Sequence, residues 1–250
     1  VKASARVEVV RRGGRDVVAD LRSEPPLTVR RAGDRVLVVG SAAGPVGGDE
    51  LALDVAVGPG ATLTLGTVAA TMAWPGPTGA PSSQSVHATV ADGGHLAWVP
   101  EPLVLVARCR HHATTEVHLR GRAAASILEE VTLGRSGEEP GTLHASWRVT
   151  RDGRPLLHHA EHLGPDVPGW GSAVSVGRHR HLLAAVTVGT PAPQRAPVVS
   201  DDAAAAVLAI APDAWVLLAV GADRVAVQQA CAGLLPGAGL PVRPGPAHPA

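Results

Sequence analysis

The feature that most limits how this chain can fold is a short pattern repeated through its first 190 residues. Val-rich runs of five to seven residues alternate with Gly, Pro and Asp turns, at 6–10, 16–21, 35–39, 51–57 and 61–65, and again at 85–90, 95–99, 114–119, 143–149 and 182–188. Valine is branched at Cβ and favours extended backbone, and runs this short do not make stable helices. Strand-like runs about ten residues apart, punctuated by turn residues, restrict the architecture to a sandwich, a barrel or a solenoid. A chain of 250 residues, 45% of them hydrophobic, is long enough to bury a sizeable core in one large all-β domain.

An internal similarity narrows the choice. LDVAVGPGATLTL (53–65), VHATVADGGHLAWV (86–99) and VHLRGRAAASILEE (117–130) share one form: an alternating strand, a Gly-containing turn and a second strand. In this alignment Val57 recurs as Val90 and then as Leu119, steps of 33 and 29 residues. Units of that size stack as a β-solenoid or a folded-over pair of sheets. On the residues alone the expected fold is therefore mainly β, with a β-solenoid and a folded-over pair of sheets both open.

Beyond Pro191 the character changes. TPAPQRAPVVS reads as a linker, and DDAAAAVLAIA reads as a helix N-capped by Ser200, with Asp201 and Asp202 at the positive end of its dipole. A strand over 214–221 and a second helix over 223–235, stopped by Pro236, follow. The expected organisation is a β-helix-like domain over 1–190, a helix–strand–helix addition over 191–236, and a disordered tail over 237–250. The apolar stretch 203–222 has Pro212 and Asp213 at its centre, which argues against a membrane span. With no signal peptide, the expected location is cytoplasmic.

Composition excludes several partners. The 22 basic and 22 acidic side chains balance, so neither the basic footprint of a nucleic-acid binder nor a general attraction to anionic membranes is present. With no Phe or Tyr and five Trp, there is little aromatic surface for stacking bases. Cys109 and Cys231 lie 122 residues apart, which is neither a disulfide framework nor a paired metal motif.

Enzyme templates fail as well. The sequence has no G-x-S-x-G, Walker A, G-x-G-x-x-G or H-E-x-x-H motif. GPGAT at 58–62 leads into a strand rather than a helix, so no helix N-terminus is available to hold phosphate. Histidine is the one excess, with 12 residues. His111 and His118 are weak candidates for metal ligation, and His179 and His181 share a strand face. None of these spacings is specific, and a tight metal store is not expected. Acidic residues beside glycine and proline complete the inventory. Asp49 follows Gly47 and Gly48, Glu101 sits between Pro100 and Pro102 just past Trp98, and Glu129–Glu130 close the third repeat. On the residues alone these read as a turn aspartate and solvated glutamates.

The run from Leu21 to Leu157 resembles the UreD family of urease accessory proteins, also called UreH. The matching segments are LRSEPPLTVRR (21–31), GPVGGDELALDVAVGPGATLTL (44–65), AAT (69–71), HLAWVPEPLVL (95–105), ILEEVTLGRSGE (127–138) and SWRVTRDGRPLL (146–157). The ordered set carries the likeness: Gly47-Gly48-Asp49, the Gly60-Ala61 turn, Trp98-x-Pro100-Glu101, and Glu129-x-x-x-x-Gly134-Arg135. Where the family pattern usually has glutamine, lysine and tyrosine, this chain has Val68, Met72 and Trp74.

The resemblance implies a β-helix-like fold with a small helical addition and a non-enzymatic assembly factor. It implies binding to urease apoprotein together with UreF and the GTPase UreG, which helps insert nickel into the urease active site. No cofactor would be tightly bound: nickel would be in transit, and GTP would enter only through the partner. Asp49, Glu101 and Glu129 match acidic positions of the family motifs and are the candidates for lining a nickel passage. A His-rich β metalloenzyme and a generic β-solenoid scaffold are the two rival readings.

Overall fold

The computed structural model describes residues 1–235; the tail expected over 237–250 lies outside them. In chain order the strands are β1 (Lys2–Arg12), β2 (Arg15–Ser23), β3 (Leu27–Ala32), β4 (Arg35–Gly40), β5 (Glu50–Val57), β6 (Thr62–Thr67), β7 (Thr71–Ala73), β8 (Ser82–Val90) and β9 (His95–Val99). They continue as β10 (Leu103–Leu105), β11 (Arg110–Leu119), β12 (Ala124–Leu133), β13 (Thr142–Arg151), β14 (Arg154–Leu163), β15 (His181–Val188), β16 (Val198–Val199), β17 (Ala203–Ala211) and β18 (Ala214–Gly221). One helix, α1 (Arg224–Leu234), follows.

Each run expected to be extended falls in a strand, with Ala61 alone just outside β6, and the stacking follows the repeat. The chain passes alternately between two sheets. One has the order β14-β13-β11-β8-β5-β1-β2, the other β16-β17-β18-β15-β12-β9-β6-β4-β3. Successive coils pair in parallel: β1, β5, β8, β11 and β13 in the first sheet, and β4, β6, β9 and β12 in the second. Val57 pairs with Val90, and Val90 with Leu119, so the three equivalent positions read from the sequence are neighbours in one ladder. Antiparallel strands close the stack: β2 and β14 at the two edges of the first sheet, β3 at one edge of the second, and β15 to β18 extending its other side. Short β7 and β10 form a small third ladder against the C-terminal end of β12.

The Ala-rich segment corrects the sequence reading. Residues 203–211 form β17 rather than a helix, so one C-terminal helix is present where two were expected. Alanine has the highest helix propensity, but propensity is a weak prior against tertiary pairing. Here the segment pairs with β18 along its length, with one bulge between Ala209 and Ala211, and buries Ala203 and Ala205 against the face that α1 covers. A helix in its place would leave that edge of β18 without backbone partners. Ser200 does not cap a helix; its Oγ accepts from Ala203 N at 3.1 Å in the turn entering β17. The second expected helix does form. Asp223 caps α1 by accepting from Ala226 N at 2.9 Å, and Val227, Ala230, Cys231 and Leu234 make its buried face.

The inward-facing rows explain where the core sits. Val55, Ala88, Val117 and Val149 stack across the first sheet, as do Val57, Val90 and Leu119 one row along, against Leu65, Trp98 and Ile127 of the second. A separate cluster of Ala73, Leu105, Cys109, Leu133, Leu143 and Leu163 fills the other end. Leu119 is 1% exposed. Leu119→Ala should lower unfolding stability by about 2–5 kcal/mol, while Val199→Ala, at an exposed position, should stay within about 0.5 kcal/mol. Urea denaturation of both variants checks the pair.

Candidate functional site

Between those two apolar clusters the inward rows turn polar. Along β8, β11 and β13 the row beside Val55–Ala88–Val117–Val149 reads Leu53, Val86, Thr115, Trp147; the next reads Gln84, Ala113, Ala145; the next Ser82, His111, Leu143. Opposite them β12 changes partners. Its first four residues pair with β9 and its last three with β10, while on its other side it pairs with β15 without a register shift from Ala125 to Thr132. Adjacent side chains on a regular strand point to opposite faces. Glu129 accordingly faces the first sheet, toward Thr115 and Trp147, and Glu130 faces the other way with Leu128, toward β15 and α1; both border the space left where β12 changes partners.

That space is a cavity of about 60 Å³, room for a few waters. Glu101, Glu129, Glu130, His111, Thr115 and Gln84 contribute its polar wall, and Trp98 and Pro100 also line it. It shares Thr67, Thr71, Gln84 and Trp98 with a larger cavity of about 360 Å³, and Glu129, Val131 and Ala145 with a smaller one of about 20 Å³ bounded by His159 and Glu161. The three cavities thus have wall residues in common, and Glu101, Glu129 and Glu130 all line the one that borders both of the others.

Each carboxylate is held. Glu129 Oε1 accepts from Thr115 Oγ1 at 2.6 Å, and Oε2 from Trp147 Nε1 at 2.7 Å. Burial pushes the Glu129 carboxyl above its ordinary range, and the bonds from Thr115 and Trp147 only partly offset this. Glu130 is 2% exposed. Its Oε2 lies 3.1 Å from His181 Nε2 and 2.9 Å from Arg224 Nε. Arg224, the first residue of α1, also donates through Nη2 to Glu101 Oε2 at 3.1 Å. The Glu101 amide donates to Thr67 Oγ1 at 2.8 Å, which fixes the Pro100–Glu101 turn. One guanidinium therefore ties the helix to two carboxylates of the cavity. In the smaller cavity His159 Nε2 lies 3.1 Å from Glu161 Oε1, and that contact raises the His159 pKa.

The other candidates are distributed around this centre. Asp49 lies outside the polar cavity. Its Oδ2 accepts from Val46 N at 2.8 Å and its Oδ1 sits 2.7 Å from the Val1 amino group. It thereby braces the loop whose Gly44 and Pro45 line the larger cavity. A Cβ on Gly47 would come within 2.5 Å of Ala80 O and Gly76 N, so this glycine is required by close backbone approach. Gly48 and Gly60 lie in turns before β5 and β6, and Ala61 is fully buried beside Gly60. Gly134 follows β12, and Arg135 beyond it makes two bonds of 2.8 Å to Glu138 while its guanidinium lies 5.4 Å over the Trp74 ring. The Arg135 bonds hold Glu138 down to about 2. Val68, Met72 and Trp74, the three departures from the family pattern, all line the larger cavity.

His111 and His118 part company. Seven residues separate them on one strand, an odd number, so they face opposite ways. His111 is 1% exposed on the cavity wall, and burial, with His112 adding to it, pushes its pKa down to about 4, so the ring is neutral at physiological pH. His118 is exposed outside and bonded to Thr150 Oγ1 at 2.9 Å. Elsewhere on the outer face His112, His144 and His162 stack in register, with centroids 5.2 and 4.5 Å apart. Among the described residues no three His, Cys, Asp or Glu side chains are arranged to hold a metal ion. Glu130 and Arg224 had no standing in the sequence reading as site residues, and His181 figured there only as a possible metal partner of His179 on a shared strand face. The only signal for Glu130 was its position next to Glu129.

The raised Glu129 pKa has a defined consequence. Between the ordinary carboxylate value and the raised folded value, the unfolded chain ionises first, so Glu129 weakens folding as pH rises through that window. Glu129→Gln removes this dependence. Urea denaturation of parent and variant across pH 4–8 should show the stability difference moving in favour of the variant as pH rises, then levelling. A difference independent of pH would contradict the buried placement.

Comparison with known proteins places the chain in a family. The family model for the UreD urease accessory protein matches residues 1–238. Urease accessory protein UreD of Parafrankia sp. (strain EAN1pec) is 38% identical over 227 residues, 80% of this chain and 76% of the relative. Urease accessory protein UreD of Streptomyces coelicolor is 36% identical over 245 residues, 94% of this chain and 96% of the relative. Urease accessory protein UreD 1 of Saccharopolyspora erythraea is 43% identical over 171 residues, 65% of this chain and 67% of the relative. With the match spanning every coil of the stack and the cavity it encloses, the chain belongs to the UreD family of urease accessory proteins.

Proposed function

We propose that the chain is a non-catalytic maturation factor that acts with urease apoprotein, UreF and the GTPase UreG, and that nickel crosses it through the series of cavities between the sheets. The observation that carries this reading is that Glu101, Glu129 and Glu130 line one cavity, which shares wall residues with a second and a third. An all-β core of this size gains stability from apolar filling, and carboxylates drawn into it are costly unless they are paired. A passing cation gives three carboxylates on one cavity wall a purpose.

Transit requires weak holding. Carboxylate oxygens suit a divalent ion without the grip of clustered thiolates or imidazoles. Here each carboxylate also has a protein partner, Thr115 and Trp147 for Glu129 and Arg224 for Glu101 and Glu130. An entering ion exchanges with those partners instead of filling a bare cage, and multi-site, exchangeable binding is what conduction needs. Asp49 acts at one remove, by shaping the loop at the wall of the larger cavity. Nucleotide chemistry is assigned to the GTPase partner. Among the described residues no helix is long and apolar enough to cross a membrane.

The test is urease activation in a reconstituted system at graded nickel. Glu101→Gln and Glu129→Gln should lower activation several-fold when nickel is scarce, with less effect when it is abundant, while UreF binding is retained. Gln is the right replacement at 129, because Ala would strand the Thr115 and Trp147 donors and destabilise by about 1–3 kcal/mol. Parental activation by the double variant at low nickel would refute the passage.

A further inference from the structure

The buried histidine on the wall of the polar cavity has one ring nitrogen accounted for and one not. His111 Nδ1 lies 2.9 Å from Ser82 Oγ, and the Ser82 hydroxyl donates to the Arg110 carbonyl at 3.5 Å. A hydroxyl has one proton. With that proton on the Arg110 carbonyl, the Ser82 oxygen is the acceptor for His111 Nδ1–H, and this tautomer leaves an open lone pair on Nε2; with the proton shared to Nδ1 instead, Nε2 carries the N–H. His111 Nε2 is buried and, among the described residues, has no hydrogen-bond partner. Buried polar nitrogens are almost always paired, so an orphan one on a wall that also carries Glu129 and Glu130 calls for an explanation.

We propose that His111 Nε2 is a ligand for a borderline divalent cation in the polar cavity, with Ser82 as the residue that fixes its tautomer. This rests on the passage reading and deepens it: the route is not lined by oxygen alone but includes one nitrogen donor. A single imidazole among carboxylates selects ions of nickel's class over magnesium and calcium, which prefer oxygen. Ser82 plays the part that hydrogen-bond acceptors behind metal-bound histidines commonly play, holding the distal N–H so that the other nitrogen stays free. Among the described residues no three His, Cys, Asp or Glu side chains are grouped to hold an ion, so the station is transient rather than a store.

The experiment uses the full chain with ¹⁵N-labelled histidine and nickel(II) as the probe. Long-range proton–nitrogen spectra should show His111 Nε2 unprotonated, and substoichiometric nickel should broaden the His111 ring. An excess of magnesium should not remove that broadening. Ser82→Ala, which leaves the ring in place but frees its tautomer, should weaken nickel binding about tenfold, and His111→Gln should abolish the cavity site. A protonated Nε2, or a His111 ring that stays sharp at excess nickel, overturns the proposal. Should His111→Gln fail to fold, the Ser82→Ala titration still decides: unchanged nickel affinity counts against it. The passage reading fails separately. If Glu101→Gln and Glu129→Gln activate urease normally while nickel still broadens His111, the cation site stands and the route does not. If they impair activation while His111 stays sharp, the reverse holds.

Discussion

Everything in this molecule depends on parallel, in-register stacking of successive coils. Once β5, β8, β11 and β13 are aligned in one sheet and β6, β9 and β12 in the other, each inward position has a fixed neighbour above and below. A change of one residue in register would turn every inward side chain outward. The rows of Val and Leu supply the stability that holds the register. The rows that are not Val and Leu are then forced together, whether or not they favour one another. Glu129, Thr115 and Trp147 meet for this reason, as do Ser82 and His111.

The corner in β12 is the second constraint. β12 pairs with β9 at one end and β10 at the other, and its two consecutive glutamates border the gap between those partners, Glu129 from the inner face and Glu130 from the face under α1. Arg224 of α1 pairs with both Glu130 and Glu101, and His181 of β15 lies 3.1 Å from Glu130. The C-terminal extension is thus more than a cover for β18: it supplies the guanidinium that holds two of the cavity's carboxylates.

Much of this was legible in the sequence, in a graded way. Val-rich strands were visible because branched side chains and turn residues mark them, and the equivalence of Val57, Val90 and Leu119 gave the ladder register. β14 was missed because RPLLHHAEHL has no valine, and β7, β10 and β16 because two or three residues carry no period. The Ala-rich β17 was misread because intrinsic propensity pointed to a helix, while the open edge of β18 decided the outcome. Glu101 and Glu129 were identified through motif resemblance, but their convergence with Glu130 and His111 was not readable. It depends on which coil sits above which and on where β12 exchanges one partner for another. The separation of His111 from His118 was readable in principle, since an odd spacing on a strand puts two residues on opposite faces.

The central claim is that the interior of the stack, not its surface, is where nickel travels. Crystals of the full chain soaked at graded nickel and measured at the nickel absorption edge test it directly. The account predicts an anomalous peak of partial occupancy inside the cavity bounded by Glu101, Glu129, Glu130 and His111. Peaks confined to the outer His112, His144 and His162 ladder, with none between the sheets at the highest nickel concentration, would contradict it.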